Sequence, residues 1–225
     1  MALTKFNYNS FNVTPVASTT MAFNSGANGL TTMSAGAMTL IKTVTASSSA
    51  NISFVNGTSS VVLDSTYPIY LLEYINCHPG HSGRVDFQFN LSADTGSNYN
   101  VTKTTSVFHA YIGEGDPSAV FTYYAGQDLA QGTGYQVLGE VVGNGADEGI
   151  TGYMYIFNPS STTYVKHFMC HNQYIALDGG GNAYNKSDYI AGYGNTTSAV
   201  DGINFQFASG DIDAGTFKLY GIKDS

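Results

Sequence analysis

Two stretches with apolar residues at every second position echo one another. Residues 85–99 read VDFQFNLSADTGSNY and residues 203–217 read INFQFASGDIDAGTF. Val85, Phe87 and Phe89 alternate with polar residues, as do Ile203, Phe205 and Phe207. Each run predicts a strand with one buried face. Ser92, Asp94 and Gly96, and likewise Ser209, Asp211, Asp213 and Gly215, supply the turn chemistry that ends it. Using one strand-and-turn device twice suits a two-sheet β-sandwich.

The alternation continues through most of the chain. MTLIKTVTA (38–46) and ANISFVN (50–56) flank a Ser run and read as a hairpin. YPIYLLEYINC (67–77) is nearly all apolar and predicts a central strand. RVDFQFNLSA (84–93) and NVTKTTSVFHAYI (100–112) follow, joined by an Asp-Thr-Gly-Ser-Asn turn. EGITGYMYIFNP (148–159) stops at Asn-Pro, TYVKHFMCHNQYIAL (163–177) is a long strand, and YIAGYG (189–194) is a short one. VDGINFQFAS (200–209) and GTFKLYGIK (215–223) end the chain. Residues 113–147 read as an elaborated connection or a pair of short strands. Within them, Asp116 as N-cap and Pro117 at the first helical position offer a short helix over 117–123. Short strands with long crossovers predict an all-β fold over residues 38–225: a jelly-roll-like antiparallel two-sheet β-sandwich. Phe87, Phe89, Phe205, Phe207, Leu72 and Ile156 are its expected core.

Residues 1–37 have a different texture. Phe6, Tyr8, Phe11 and Val13 are spread among Asn, Ser and Thr, and SGANGLTTMSAG (25–36) reads as loop. This is an extended N-terminal arm, read either as a loose terminus or as a segment that binds along a partner. In the second reading Phe6, Tyr8 and Phe11 are the anchors, because they have nothing local to bury against. The stretch MALTKFNYNSFNV lacks the apolar centre of a secretory signal, so the expectation is a product made and assembled in cytoplasm. That setting gives little weight to the Asn-x-Ser/Thr triplets at Asn12, Asn51, Asn56, Asn90, Asn100, Asn185 and Asn195.

Composition narrows the function classes. The chain has 225 residues, of which 11% are charged and 43% hydrophobic; ordinary domains carry about 25% charged residues. Gly, Asn, Ser and Thr supply the polarity instead, a surface suited to tight, permanent assemblies. The formal net charge is −8, and Arg84 is the only arginine. Nucleic-acid binding requires clustered Lys and Arg against phosphates, so that function is not expected. No apolar run approaches the ~20 residues that span a bilayer as a helix, so no membrane insertion is expected.

Candidate chemistry is sparse. Cys77, His78 and His81 lie in CHPGH, and His167, Cys170 and His171 lie in HFMCH. A zinc site needs four converging N or S ligands. On a strand, His167 and His171 share one face while Cys170 points to the other. Buried apolar cysteines and strand-end histidines are therefore expected, with no metal and no cofactor. No nucleophile motif occurs, so no catalytic residue is assigned and no enzyme is expected. Glu73 sits in an apolar strand and must face solvent or a partner. Asp178-Gly-Gly-Gly-Asn182 lacks the Lys of a phosphate loop and the Asp/Asn alternation of a calcium loop, so it reads as a flexible surface loop. Among the loop-associated tyrosines Tyr111, Tyr123, Tyr124, Tyr135, Tyr184, Tyr189 and Tyr193, the last three are the candidate glycan or partner contacts.

The segment INFQFASGDIDAGTFKLYGI resembles the closing motif of a β-sandwich module in structural proteins of marine tailed bacteriophages, including cyanophages. The resemblance extends through MTLIKTVTASSSANISF, LDSTYPIYLLEYINCHPG, FQFNLSADTGSNYNVTKTT and FNPSSTTYVKHFM, most of residues 38–222. It does not include the arm. It implies a non-enzymatic virion protein, either a capsid decoration or a tail-fibre-like appendage, in contact with other virion proteins. It also implies a homotrimer, the common state of such appendages. The alternative function is a carbohydrate-binding adhesin that recognises host surface glycans.

Overall fold

The computed structural model describes residues 19–23, 30–34, 36–115 and 119–223. Every regular element in them is a β-strand. The chain divides into two compact units, residues 1–39 and 40–225. The first contains β1 (Thr19–Phe23) and β2 (Leu30–Ser34), antiparallel, with Thr19 opposite Ser34 and Phe23 opposite Leu30. The loop expected over 25–36 is thus a strand from Leu30, consistent with the β-branched Thr31 and Thr32. Phe6, Tyr8 and Phe11 lie outside the described residues.

The strands that follow are β3 (Met38–Ser49), β4 (Ile52–Val55), β5 (Ile69–Pro79), β6 (Val85–Ser92), β7 (Lys103–Gly113), β8 (Ala119–Tyr123) and β9 (Gln136–Val142). Then come β10 (Ile150–Phe157), β11 (Lys166–Leu177), β12 (Ala183–Gly194), β13 (Gly202–Phe207) and β14 (Ile212–Ile222). They form two layers. The large layer runs β3-β14-β5-β10-β11-β12-β7-β8, and the small one β9-β6-β13-β4. The layers are hydrogen-bonded to each other at one corner. There β10 has ended opposite Tyr174, and Ala176 of β11 pairs with Val142 of β9.

Packing between layers follows from the alternation. Tyr74 of the large layer meets Phe87 and Phe205 of the small one at 5.4 and 5.5 Å between ring centroids. Phe89 meets Phe168 edge-on at 5.2 Å, and Phe205 meets Phe217 at 5.6 Å. Phe87, Phe89, Phe205, Phe207, Leu72 and Ile156 are all buried in one cluster, as their spacing predicts. Each contributes about 1.5–3 kcal/mol by leaving water.

The topology is that of a jelly roll. β3, β14, β5 and β10 face β4, β13, β6 and β9. The connections β3–β4, β5–β6, β9–β10 and β13–β14 all cross between the layers. The hairpin expected from 38–46 and 50–56 therefore does not form. β3 pairs with β14 and β4 with β13, because the Ser-rich link carries the chain over the edge instead of back along it. Two insertions widen the large layer: β7–β8 between β6 and β9, and β11–β12 between β10 and β13. They zip together through β12 and β7. The helix expected over 117–123 is replaced by β8, whose Val120, Phe121 and Tyr123 favour a pleated strand over the capping signal before them. The short strand expected at 189–194 begins at Ala183.

Candidate binding surfaces

An eight-stranded layer overhangs a four-stranded one. Strand β9 reaches part of the inner face of β7 and β12, where Thr105 Oγ1 donates to Gln136 Oε1 at 2.7 Å and Lys186 Nζ to Glu140 Oε2 at 3.0 Å. The segment 124–135 continues the β8 pairing along the edge of β7: Tyr124 N donates to Val107 O at 2.8 Å, and Thr105 N to Leu129 O at 2.9 Å. What remains is a cleft of about 780 Å³. Its walls include His109 and Tyr111 from β7, Tyr184 and Lys186 from β12, Glu140 from β9, and Arg84.

The cleft stands on a polar network. Tyr174 donates its hydroxyl proton to Asp188 Oδ2 at 2.7 Å and accepts the Glu140 N–H at 2.9 Å. Glu140 accepts from Tyr124 at 2.7 Å and from Lys186 Nζ at 3.0 Å. The Lys186 ammonium also lies 5.1 Å from the Tyr124 ring centroid, within cation–π range. His109 packs on Tyr124 at 4.6 Å, with Nδ1 3.9 Å from Asp188 Oδ1. Those two atoms are enclosed and make no hydrogen bond. Burial pushes the Asp188 carboxyl up to about 6, against the pull of Lys186 and Tyr174. Burial also raises Glu140, but hydrogen bonds from Tyr124 and Lys186 outweigh it and hold the carboxyl below its ordinary value. His109 is pushed down by burial and by the Lys186 charge.

The opposite, outer face of the large layer carries an aromatic row. In strict register across the strands stand Lys218, Glu73, Tyr153, His171, Tyr189, Phe108 and Tyr123. His171 and Tyr189 stack at 4.1 Å, and Tyr189 and Phe108 at 5.1 Å. Phe121, 72% exposed, meets Phe108 edge-on at 5.7 Å. The stacked rings cover each other's faces and turn their edges to solvent.

The three candidate tyrosines therefore separate. Tyr184 faces the cleft, whereas Tyr189 and Tyr193 are on the outer face, four residues apart on β12. Glu73 also faces outward, opposite Lys218, as its strand position requires. The 178–182 loop is closed by its own aspartate. Asp178 accepts from Gly180 N at 2.7 Å, Asn182 N at 2.9 Å, Asn182 Nδ2 at 2.8 Å and Tyr184 Oη at 3.2 Å. These bonds, Asn182 first, hold its carboxyl down to about 2. The loop read as flexible is thus internally bonded.

Cys77 and Cys170 are free and buried, and burial pushes both thiols up. His167 and His171 point away from Cys170 along β11, as strand alternation dictates. Among the described residues no three His, Cys, Asp or Glu side chains gather as metal ligands. The residues that sequence reading missed are His109, Glu140, Lys186 and Asp188. Their signal is a charged or imidazole group at inward strand positions in a charge-poor chain. Comparisons with family models, curated proteins and solved structures return no match to this chain.

Proposed function

We propose that this chain is a non-enzymatic structural protein of a tailed-phage virion, a jelly-roll module displayed on the capsid or a tail appendage. Residues 1–37 attach it to the particle, with Phe6, Tyr8 and Phe11 as anchors, and the module works as a homotrimer. The observation that carries this reading is the outer aromatic row, which gives a chain with 11% charged residues an apolar surface suited to lasting contact. Support comes also from the resemblance over residues 38–222 and from the use of jelly rolls in viral capsid and lectin domains. Fold alone does not assign function, so location on the particle is the test. Gold-labelled antibody against the purified protein should decorate intact particles at fixed positions, and deletion of residues 1–37 should abolish incorporation. Particles without this protein, or normal incorporation of the truncated chain, would overturn the proposal. A monomer at high concentration, both in solution and on the particle, would remove the trimer.

A further inference from the structure

We propose that β8 is a self-pairing edge: it adds antiparallel to the β8 of a second copy of this chain, across a twofold axis at Phe121. This goes beyond the virion assignment and does not depend on it. β8 (Ala119–Tyr123) ends the large layer and, among the described residues, pairs only with β7. An unpaired edge presents a row of N–H and C=O groups to any strand that fits, and proteins blunt it with Lys, Pro, a bulge or brevity. Two other edges are blunted in this way: β3 carries Lys42, and β4 is four residues long. β8 reads AVFTY, with no charge and no Pro, and keeps an unbroken register against β7. Its Phe121 and Tyr123 are 72% and 55% exposed.

The direction of the backbone groups sets the register. Tyr124 N donates to Val107 O at 2.8 Å, so the N–H groups of Thr122 and Val120, two and four residues earlier, also point to β7. Those of Ala119, Phe121 and Tyr123 point away from it, as do their carbonyls. Of these, Tyr123 O accepts from Thr122 Oγ1 at 3.3 Å and keeps a second lone pair. Two copies of β8 placed antiparallel about Phe121 match Phe121 with itself and Ala119 with Tyr123. These three residues carry the outward-pointing groups, so every such pair exchanges N–H···O bonds. The same register sets outer face beside outer face. The two aromatic rows then join, and the Phe121 rings pack as a cross-strand pair with no like charges opposed. An unrelated strand would gain the hydrogen bonds without this match of side chains, so the second copy is the partner that fits. A five-residue pairing is small, so it is weak between free copies and strengthened where copies are held together. Being twofold, it joins copies of different trimers and leaves the threefold contact as it is.

The test uses the full-length chain. In this register the two Phe121 Cα atoms lie about 5.5 Å apart, a separation that a disulfide spans. The two Ala119 positions are four residues out of step, about 13 Å along the strand. Under mild oxidation Phe121→Cys should therefore form a linked dimer at least tenfold faster than Ala119→Cys, read on a non-reducing gel. Cys77 and Cys170 are buried and do not compete. Sedimentation of wild type over a concentration series should show a species of twice the basal mass. Phe121→Lys places two ammonium groups on the axis and should weaken that association at least tenfold. Phe121 is exposed, so its variants keep the fold, which circular dichroism verifies. The proposal is overturned if the two cysteine variants link at equal rates, if wild type never doubles in mass, or if Phe121→Lys associates as wild type does. Linking of Phe121→Cys to a different particle protein, and not to itself, would assign the edge to that protein and overturn the proposal as well.

Discussion

Gln88 of β6 and Gln206 of β13 stand directly opposite one another in an antiparallel pair. On either side Phe87 faces Phe207 and Phe89 faces Phe205. Phe-Gln-Phe reads the same in both directions, so its antiparallel pairing creates a local twofold axis between the glutamines. The two echoing segments are hydrogen-bonded neighbours, and their four phenylalanines form the inner face of the small layer. Phe87 lies 5.1 Å from Phe207 and 6.1 Å from Phe205 between ring centroids.

Phe87→Ala should therefore destabilise the fold by about 3–5 kcal/mol, the usual cost of a large cavity in a core. Gln88→Ala, on the other face of the same strand, should cost less than about 1 kcal/mol. Urea unfolding of the two variants measures the contrast. Equal losses would mean that β6 does not present Phe87 to the core.

Lys103 is fully buried, and its ammonium donates to Asn90 Oδ1 and Val101 O. Burial lowers its pKa from 10.5 to about 8. The unfolded chain therefore holds this proton between pH 8 and 10.5 when the folded chain does not, and stability contributed by Lys103 rises with pH across that window. Wild type should gain up to about 3 kcal/mol relative to Lys103→Met from pH 8 to 10.5. Below pH 8 the difference should be flat. Chemical denaturation at stepped pH reads it.

Asp188 has the opposite sign. Burial pushes its carboxyl in the folded chain up to about 6, above the ordinary 3.8. Its contribution is present below pH 3.8 and is lost as pH rises through 6. Relative to Asp188→Asn, wild type should lose stability over this interval. The Asp188 carboxyl carbon should show an NMR inflection near pH 6, and an inflection near 4 would contradict the enclosure described.

Both cysteines should be inert to a thiol reagent in the native state and react together on unfolding. Their thiols are enclosed and their ionisation is suppressed by burial. Rapid labelling of either one in native protein would contradict its placement.

Strand existence was legible wherever one face was apolar and the other polar, as in β6, β10 and β13. Pairing was less so. The Ser run at the end of β3 looks the same whether the chain turns back or crosses to the other layer. β12 was read short because its first half, from Asn185 to Asp188, is polar on both faces; the inward side there serves a polar cleft instead of the core. β7 carries the same disguise in Lys103, Thr105 and His109. The cleft itself was hidden because His109, Glu140 and Lys186 come from separate strands, Arg84 precedes another, and they share no motif. Only the width difference between the layers brings them together.

The zipper between β7 and β12 also has a cost in time. Lys103 pairs with Gly194 at one end and Gly113 with Tyr184 at the other. A ribosome has released β7 long before β12 exists, so one edge of β7 waits unpaired while strands β8 to β11 are synthesised. Non-local closure of this kind is slow, and a bare edge is a template for the wrong partner. The nascent chain is therefore most vulnerable to aggregation between the emergence of these two strands, and the cleft is completed only after that interval has passed.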